Sequence, residues 1–468
     1  MPTTAELLAA LPPDVKEPRS IDEKELERIF NAMAGRSMPT GSLSRFCSLG
    51  SLSAKLGIAY TAYWVRSWYR PKQAQEKDLF ETNMRAAINT LETMSYLRGA
   101  IAKAGQLVTC FPESIPKEFV DTLRYLQFQA PPMHFALIRE QLLSEIGDPH
   151  DVFSEFDETA FAAASIGQVH RARLKTGESV AVKIQYPGIA RTIRADLRNL
   201  KAMMRPFLYN EDWKAVQTMF EEIQSGLEAE TDYEHEAQNI REVRPIFEDE
   251  DDIVVPMVFD NLSTRKVLTM EFLEGKSTDE FVASNPSQED RDRLGTLIWK
   301  ACFGTYVKKM LYTDAHPGNF IFMDEGRLGF IDFGNVRCYS DAEWEFHCQI
   351  NDARYGTDED ITAACKRSLM MTDEDATKHP RMLELVQEMF AWYNEPILFK
   401  SRFDYGDPDY IKRGVDILVR AAKEKWVKQQ PSNAFCHRVN FQIPALLYKL
   451  KSRVDVTEVM RGFGKGAK

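Results

Sequence analysis

At 468 residues the chain is too long for one average domain and long enough to bury a sizeable core, so two lobes with appendages are expected. A hydrophobic fraction of 44% and a charged fraction of 28% are those of a soluble globular protein. The net charge of −11 argues against a nucleic-acid-binding surface, and no apolar run approaches the ~18–20 residues that a membrane-spanning helix requires.

Residues 1–40 read as a loosely attached arm. Met1 to Leu11 contain Glu6 and no basic residue, unlike a secretory signal or an Arg-rich transit peptide, so a cytoplasmic location is expected. Residues 52–70 mix small, aromatic and aliphatic side chains and end in a basic cluster. They suit an amphipathic segment on a membrane surface, with Tyr63, Trp64, Trp68 and Tyr69 at the interface. They suit equally an ordinary helix packed on the domain. From Asp78 to Ile146 the period is helical, broken by Pro112, Pro116 and Pro131-Pro132. The seven cysteines are scattered without a CxxC pair, which fits buried thiols in a reducing compartment.

The texture then changes. Residues 159–186 read as strand, turn, strand, with β-branched VAVKI at 180–184 after a turn at Lys175-Thr176-Gly177. A helical stretch from Ile189 to Val243 is followed by strands at 253–258 and 265–273. Ser277-Thr278-Asp279-Glu280 has the spacing of a capping box and predicts a helix start. Beyond Arg337 the pattern is almost entirely helical, and Met370-Met371 reads as packing. The acidic run at 248–252 reads as a solvated loop. The fold class expected is α+β: a small β-rich lobe joined near Met270 to Gly275 to a larger helical one. The domains are then an arm at 1–75, a helical extension at 76–150, an N-lobe at 151–275 and a C-lobe at 276–468.

Chemistry concentrates in YTDAHPGNFIF (312–322) and GFIDFGNV (329–336). Asp314 precedes Asn319 by five residues, and Asn319 precedes Asp332 by thirteen. Phosphoryl transfer needs a carboxylate near the attacking hydroxyl and oxygen ligands that hold Mg²⁺ on the phosphates. Asp314, Asn319 and Asp332-Phe333-Gly334 stand at the intervals protein kinases use for those parts. Lys183, on a predicted strand, would reach the phosphates of ATP. Glu230, Glu234 and Glu236 in GLEAETDYEHEAQNI are its candidate partners, and spacing does not choose among them. Backbone near Glu271 to Leu273 would take the adenine. Where a glycine loop would stand, Ala162, Ala163 and Ala164 leave only Gly167, and alanine restricts the positive-φ freedom that lets such a loop close.

These residues resemble the UbiB-type (AarF-type) family of atypical kinases over roughly 95–345. The resemblance rests on KxGQ at Lys103 to Gln106 and on the alanine-rich loop Ala162-Ala163-Ala164-Ser165-Ile166-Gly167-Gln168-Val169. It rests also on ExD at Glu230 to Asp232, and on Asp314-Ala315-His316-Pro317-Gly318-Asn319. It implies a two-lobed kinase-like fold with an N-terminal helical extension covering the site where a protein kinase takes its peptide. By that likeness Lys103 and Gln106 point into the nucleotide pocket near Glu230 and Asp232, and Glu236 pairs with Lys183. It implies an ATPase output in support of ubiquinone or other isoprenoid-lipid metabolism at membranes. A true phosphotransferase and a nucleotide-binding scaffold are the rival readings. Enzymes of the aminoglycoside-kinase type generally place His two residues before the catalytic Asp, where this chain has Tyr312.

Overall fold

The computed structural model describes residues 133–163, 166–191, 193, 228–422, 424 and 431–462. The arm, the 52–70 segment, Lys103, Gln106, Ala164 and Ser165 lie outside the described residues. In chain order the elements begin with α1 (Phe135–Glu145), α2 (Pro149–Val152), β1 (Phe153–Phe156), β2 (Ala162–Ala163), β3 (Gly167–Leu174) and β4 (Ser179–Gln185). Then come α3 (Tyr233–Val243), β5 (Ile253–Val254), β6 (Val267–Glu271), α4 (Thr278–Ala283), α5 (Gln288–Val307), β7 (Met310–Tyr312) and β8 (Phe320–Phe322). β9 (Leu328–Phe330), β10 (Val336–Cys338), α6 (Asp341–Asp352), α7 (Asp358–Ser368), α8 (Asp373–Lys378) and α9 (Pro380–Leu398) follow. The last are β11 (Phe403–Asp404), α10 (Pro408–Ala422), α11 (Pro431–Leu450), β12 (Arg453–Val454) and α12 (Val456–Gly462).

Two compact units result. One runs to Thr231 and includes Thr264–Thr269; the other holds Asp232–Ser263 and Met270 onward. The segment Asp232–Ser263, read from sequence as N-lobe, thus groups with the second unit. The strand expected over 253–258 stops at Val254, because Pro256 two residues on has no N–H for a ladder.

The first unit is built on a sheet of order β1-β3-β4-β6, with β2 also paired to β3. The β3–β4 hairpin turns at Gly177, whose φ of 107° lies in the region a side chain would strain. Val180, Val182 and Ile184 are fully buried on one face of β4. Register decides the other residues: Val169 lies opposite Lys183 and Gln168 opposite Ile184. Directly opposed residues share a face, so Gln168 and Lys183 lie on opposite sides of the sheet.

On the Gln168 face, Met133 N–H donates to Gln168 Oε1 at 2.7 Å, and Gln168 Nε2 reaches Met133 O at 3.3 Å and His170 Nε2 at 2.9 Å. His170 Nδ1 is 2.7 Å from the Asp157 carbonyl, which can only accept, so Nδ1 carries the proton and Nε2 accepts from Gln168. Phe156 stacks on the ring at 5.2 Å. Burial holds the His170 pKa below the usual histidine value, against the opposing pull of Asp157. Below about pH 6.5 the unfolded chain takes up a proton that the folded ring resists, so this stabilisation is present above that pH and lost as pH falls. The urea midpoint is expected to be lower at pH 5.5 than at 7.5, and the difference to shrink in His170→Asn. A pH difference unchanged by the substitution would refute this.

The second unit has α5 as its central element, buried through Leu294, Leu297, Ile298 and Ala301. Two small sheets pair around the loops of interest: β5-β9-β8 and β7-β10. Five helices open on full capping boxes, at Ser277/Glu280, Ser287/Asp290, Ser340/Glu343, Thr357/Asp360 and Thr372/Asp375. Each box satisfies two otherwise orphaned N–H groups, which is why these short polar signals mark helix starts. Asp292, buried within α5, accepts from Arg453 N at 2.8 Å and from its Nη2 at 3.0 Å, tying the C-terminal segment to the central helix. Of the methionine pair, Met371 joins the core cluster around Phe390, whereas Met370 is exposed with φ 49°. In the acidic run, Glu250 pairs with Lys300 and Asp252 with Arg293.

Candidate functional site

The loop 313–319 follows β7 and is held from both ends. Thr313 donates its N–H and its hydroxyl to Asn335 O at 3.0 and 2.8 Å, just after the Asp332-Phe333-Gly334 turn. The Asp314 carbonyl accepts from His316 N at 2.7 Å and from Asn319 Nδ2 at 2.8 Å. His316 is exposed, and its Nδ1 accepts from Gly318 N at 3.1 Å, so it caps the short 3₁₀ turn Pro317–Asn319. Pro317 suits the first position of that turn, where no N–H is needed.

Asn319 is buried, and its carbonyl accepts from Ile331 N at 3.1 Å, one residue before Asp332. With Nδ2 spent on Asp314 O, the Asn319 Oδ1 remains as an acceptor. Asp332 Oδ1 accepts from Gly334 N at 3.1 Å, and the carboxylate is half-buried. Two oxygen-bearing side chains separated by thirteen residues are thereby set by one short ladder, β8 against β9. Beneath them lies an aromatic layer. Tyr312 meets Phe330 edge-on at 4.6 Å, Phe330 stacks on Phe320 at 5.5 Å, and Phe330 contacts Phe333 at 4.5 Å. Burial, and then the negative charges of Asp332 and Asp314, push the Tyr312 phenol well above its ordinary pKa, so it stays protonated.

The second unit also contains α3. Asp232 caps it, its Oδ1 accepting from Glu234 N at 3.2 Å and His235 N at 3.3 Å. The candidate glutamates separate by burial: Glu236 is 1% exposed and Glu230 9%, whereas Glu234 faces solvent. Glu236 Oε2 lies 3.6 Å from where a Cβ on Gly334 would stand, and Asn239 Nδ2 donates to Phe333 O at 2.8 Å. The helix is thus latched to the Asp332-Phe333-Gly334 turn. Between β6 and α4, Glu271 N–H donates to Met257 O at 2.8 Å, and Gly275 packs so tightly that a Cβ would sit 2.6 Å from Phe322 O. Leu273 is buried against Gly329.

In the first unit Lys183 is 8% exposed on β4. Ala162, Val169 and Lys183 align across three strands on one face, through the pairings Ala162↔Val169 and Val169↔Lys183. Gly167 shares that face opposite Gln185. Ile166 is buried, its carbonyl accepting from Tyr186 N at 2.9 Å. The alanine-rich loop therefore divides: Ala162, Gly167 and Val169 stand with Lys183, while the Gln168 side chain is committed to Met133 and His170 on the other side.

Two residues escaped the sequence reading. Gln442 on α11 donates Nε2 to Asp314 Oδ1 at 3.3 Å and accepts from Ala315 N at 3.1 Å, so it orients the Asp314 carboxylate. No local signal marks it, since it lies 128 residues from Asp314. Asn239 sits on the same face of α3 as Glu236, and helical spacing would have placed the two together.

Residues 125–363 match the ABC1 atypical kinase-like domain. The probable serine/threonine-protein kinase abkA of Dictyostelium discoideum is 26% identical over 94% of this chain and 82% of its own length. The mitochondrial atypical kinase COQ8B of Danio rerio is 26% identical over 89% of this chain and 68% of its own. The mitochondrial atypical kinase COQ8 of Saccharomyces cerevisiae is 28% identical over 69% of this chain and 64% of its own. Among solved structures, Rv3197 of Mycobacterium tuberculosis, determined in complex with erythromycin, matches at a TM-score of 0.56 and 28% identity. That match covers 85% of this chain and 99% of the other. A kinase-like fold with a helix-rich C-terminal region accords with the elements described above.

Proposed function

The chain belongs to the ABC1 atypical kinase-like family, and from that premise we propose that it is an ATP- and Mg²⁺-dependent ATPase supporting ubiquinone or other isoprenoid-lipid metabolism. The observation that carries the reading is the knitting of Asp314, Asn319 and Asp332 by the Asn319 Nδ2–Asp314 O and Ile331 N–Asn319 O bonds. The donor set fits magnesium: the Asp332 carboxylate and the Asn319 amide oxygen are hard oxygen ligands with no sulfur or imidazole between them. When bound, the ion would neutralise charge on the phosphates.

In this reading the Asp314 carboxylate, oriented by Gln442, positions or deprotonates the attacking water or hydroxyl. Lys183 holds the α/β-phosphates. By family likeness Glu236, buried on α3, is taken as the partner of Lys183. Ala162, Ala163, Ala164, Gly167 and Val169 form the phosphate-side loop, joined by Ser165 and by the backbone of Ile166 and Gln168. With the Glu271 N–H already given to Met257 O, adenine falls to the Glu271 carbonyl and the Leu273 backbone. Lys103, Gln106, Glu230 and Asp232 complete the pocket by family likeness. Contact with a membrane surface is assigned to residues 52–70. Among the described residues no helix is long and apolar enough to cross a bilayer.

The test is phosphate release by the purified protein, with Mg²⁺ and with chelator, with and without lipid vesicles. Magnesium-dependent release that vesicles raise is expected. Labelled phosphate appearing on an added acceptor instead would favour the phosphotransferase. Binding of ATP without turnover under any condition would favour the scaffold.

A further inference from the structure

Asn239 holds no group that the chemistry above calls on, yet its amide bears on the peptide beside Asp332. The side chain is 3% exposed on α3. Nδ2 lies 2.8 Å from the Phe333 carbonyl oxygen, which can only accept, so the amide nitrogen and not the amide oxygen faces that carbonyl. A longer contact of 3.4 Å runs from Nδ2 to His235 Nδ1, one turn earlier on the helix.

The Phe333 carbonyl and the Gly334 N–H are the two polar edges of one planar trans peptide, and they point to opposite sides. Asn239 takes the carbonyl edge at 2.8 Å, and Asp332 Oδ1 takes the N–H edge at 3.1 Å. Among the described residues neither edge has another hydrogen-bond partner. The Phe333 ring does not supply this constraint. It is fully buried against Phe330 at 4.5 Å, but the peptide can turn about its flanking bonds while the ring stays in place. Turning it over would carry Gly334 from the negative φ it has to a positive one. Glycine accepts either sign, so residue type offers no resistance there, and the hold on the carbonyl falls to Asn239.

We propose that Asn239 is a positioning residue: by fixing the Phe333–Gly334 peptide it sets the Asp332 carboxylate for magnesium. This rests on the reading of Asp332 as a ligand of that ion. It also makes an alanine at 334 a partial substitute for Asn239. The alanine Cβ would stand 3.5 Å from Asp332 Oδ1 and 3.6 Å from Glu236 Oε2, both ordinary contacts, while its resistance to positive φ disfavours the turned peptide.

The test follows hydrogen–deuterium exchange at the residue 334 amide in the full-length protein, first without metal or nucleotide. Exchange is then read with the β,γ-imido analogue of ATP as Mg²⁺ is added. Asn239→Leu removes the donor at similar volume and is expected to speed exchange about tenfold or more. Bound ion should slow exchange again, with half-saturation at about tenfold higher Mg²⁺ in Asn239→Leu than in the parent. Adding Gly334→Ala to Asn239→Leu should bring both values back toward the parent, a rescue that a merely structural Asn239 would not show. Unchanged exchange, an unchanged Mg²⁺ requirement or no rescue would each overturn the proposal. Asp332→Asn separates these failures from failure of the metal reading. If Mg²⁺ slows exchange in the parent but not in Asp332→Asn, the ligand is right, and Asn239→Leu alone decides the proposal. If Asp332→Asn responds to Mg²⁺ as the parent does, the metal assignment is wrong and the proposal falls with it. Should Asn239→Leu fail to fold, Asn239→Ser, too short to reach the carbonyl, gives the same readings.

Discussion

Asp332→Asn is expected to lower magnesium-dependent ATP turnover by about 10³-fold or more, equivalent to ~4 kcal/mol of transition-state stabilisation. The substitution removes the charge and keeps the shape. Asparagine retains a side-chain oxygen that can accept from Gly334 N, now at 3.1 Å from Asp332 Oδ1, so the turn survives. The aromatic layer under it is untouched, and the melting temperature should stay within a degree or two of the parent. What is lost is the anionic ligand that would hold the ion on the phosphates, a role that Asn319 Oδ1 alone supports weakly. Phosphate release measured against free Mg²⁺ gives the answer. Turnover within threefold of the parent, at any magnesium concentration, would remove Asp332 from the metal site.

The second large effect is on stability. Phe330 is fully buried and touches Tyr312, Phe320 and Phe333, so three segments of the candidate site rest on one ring. Truncation to alanine removes the ring's transfer energy and leaves a cavity, and is expected to cost about 3–5 kcal/mol. Phe330→Leu keeps most of the volume and should cost much less, about 1.5 kcal/mol. Urea midpoints of the two variants test the difference. An equal cost for both would mean that the ring is not a packing element. The same truncation should reach the chemistry, since Phe333 adjoins Asp332 and Tyr312 lies two residues before Asp314.

Gly275 illustrates a constraint that sequence carries without explaining. It was legible as part of the segment joining two lobes, but nothing local says that its missing Cβ is required. The requirement arises because the chain there runs against β8, with Lys276 N donating to Phe322 O at 2.8 Å and Phe322 N to Lys276 O at 2.8 Å. Any side chain would meet the Phe322 carbonyl. Likewise the capping box at Ser277 was readable, because Ser277 and Glu280 are three residues apart and satisfy each other's backbone. The close approach of Gly275, 47 residues from Phe322, was not.

The sequence by itself determined the elements whose causes are local. β-Branched residues after a turn put VAVK on a strand, the turn at Lys175 to Gly177 followed from residue type, and the Asp314, Asn319 and Asp332 intervals marked one loop and one turn. Such signals depend on bonds that close within a few residues, or on a period repeated along the chain. Tertiary structure alone decided which way the residues of a motif face and what holds them. The β3–β4 register turns Gln168 away from Lys183, and burial singles out Glu236 from Glu234. Gln442 comes from the far end of the chain to Asp314, and Asn239 meets the Phe333 carbonyl 94 residues away. Contacts of that kind depend on how helices pack, and packing is a property of surfaces that meet only after the chain has folded.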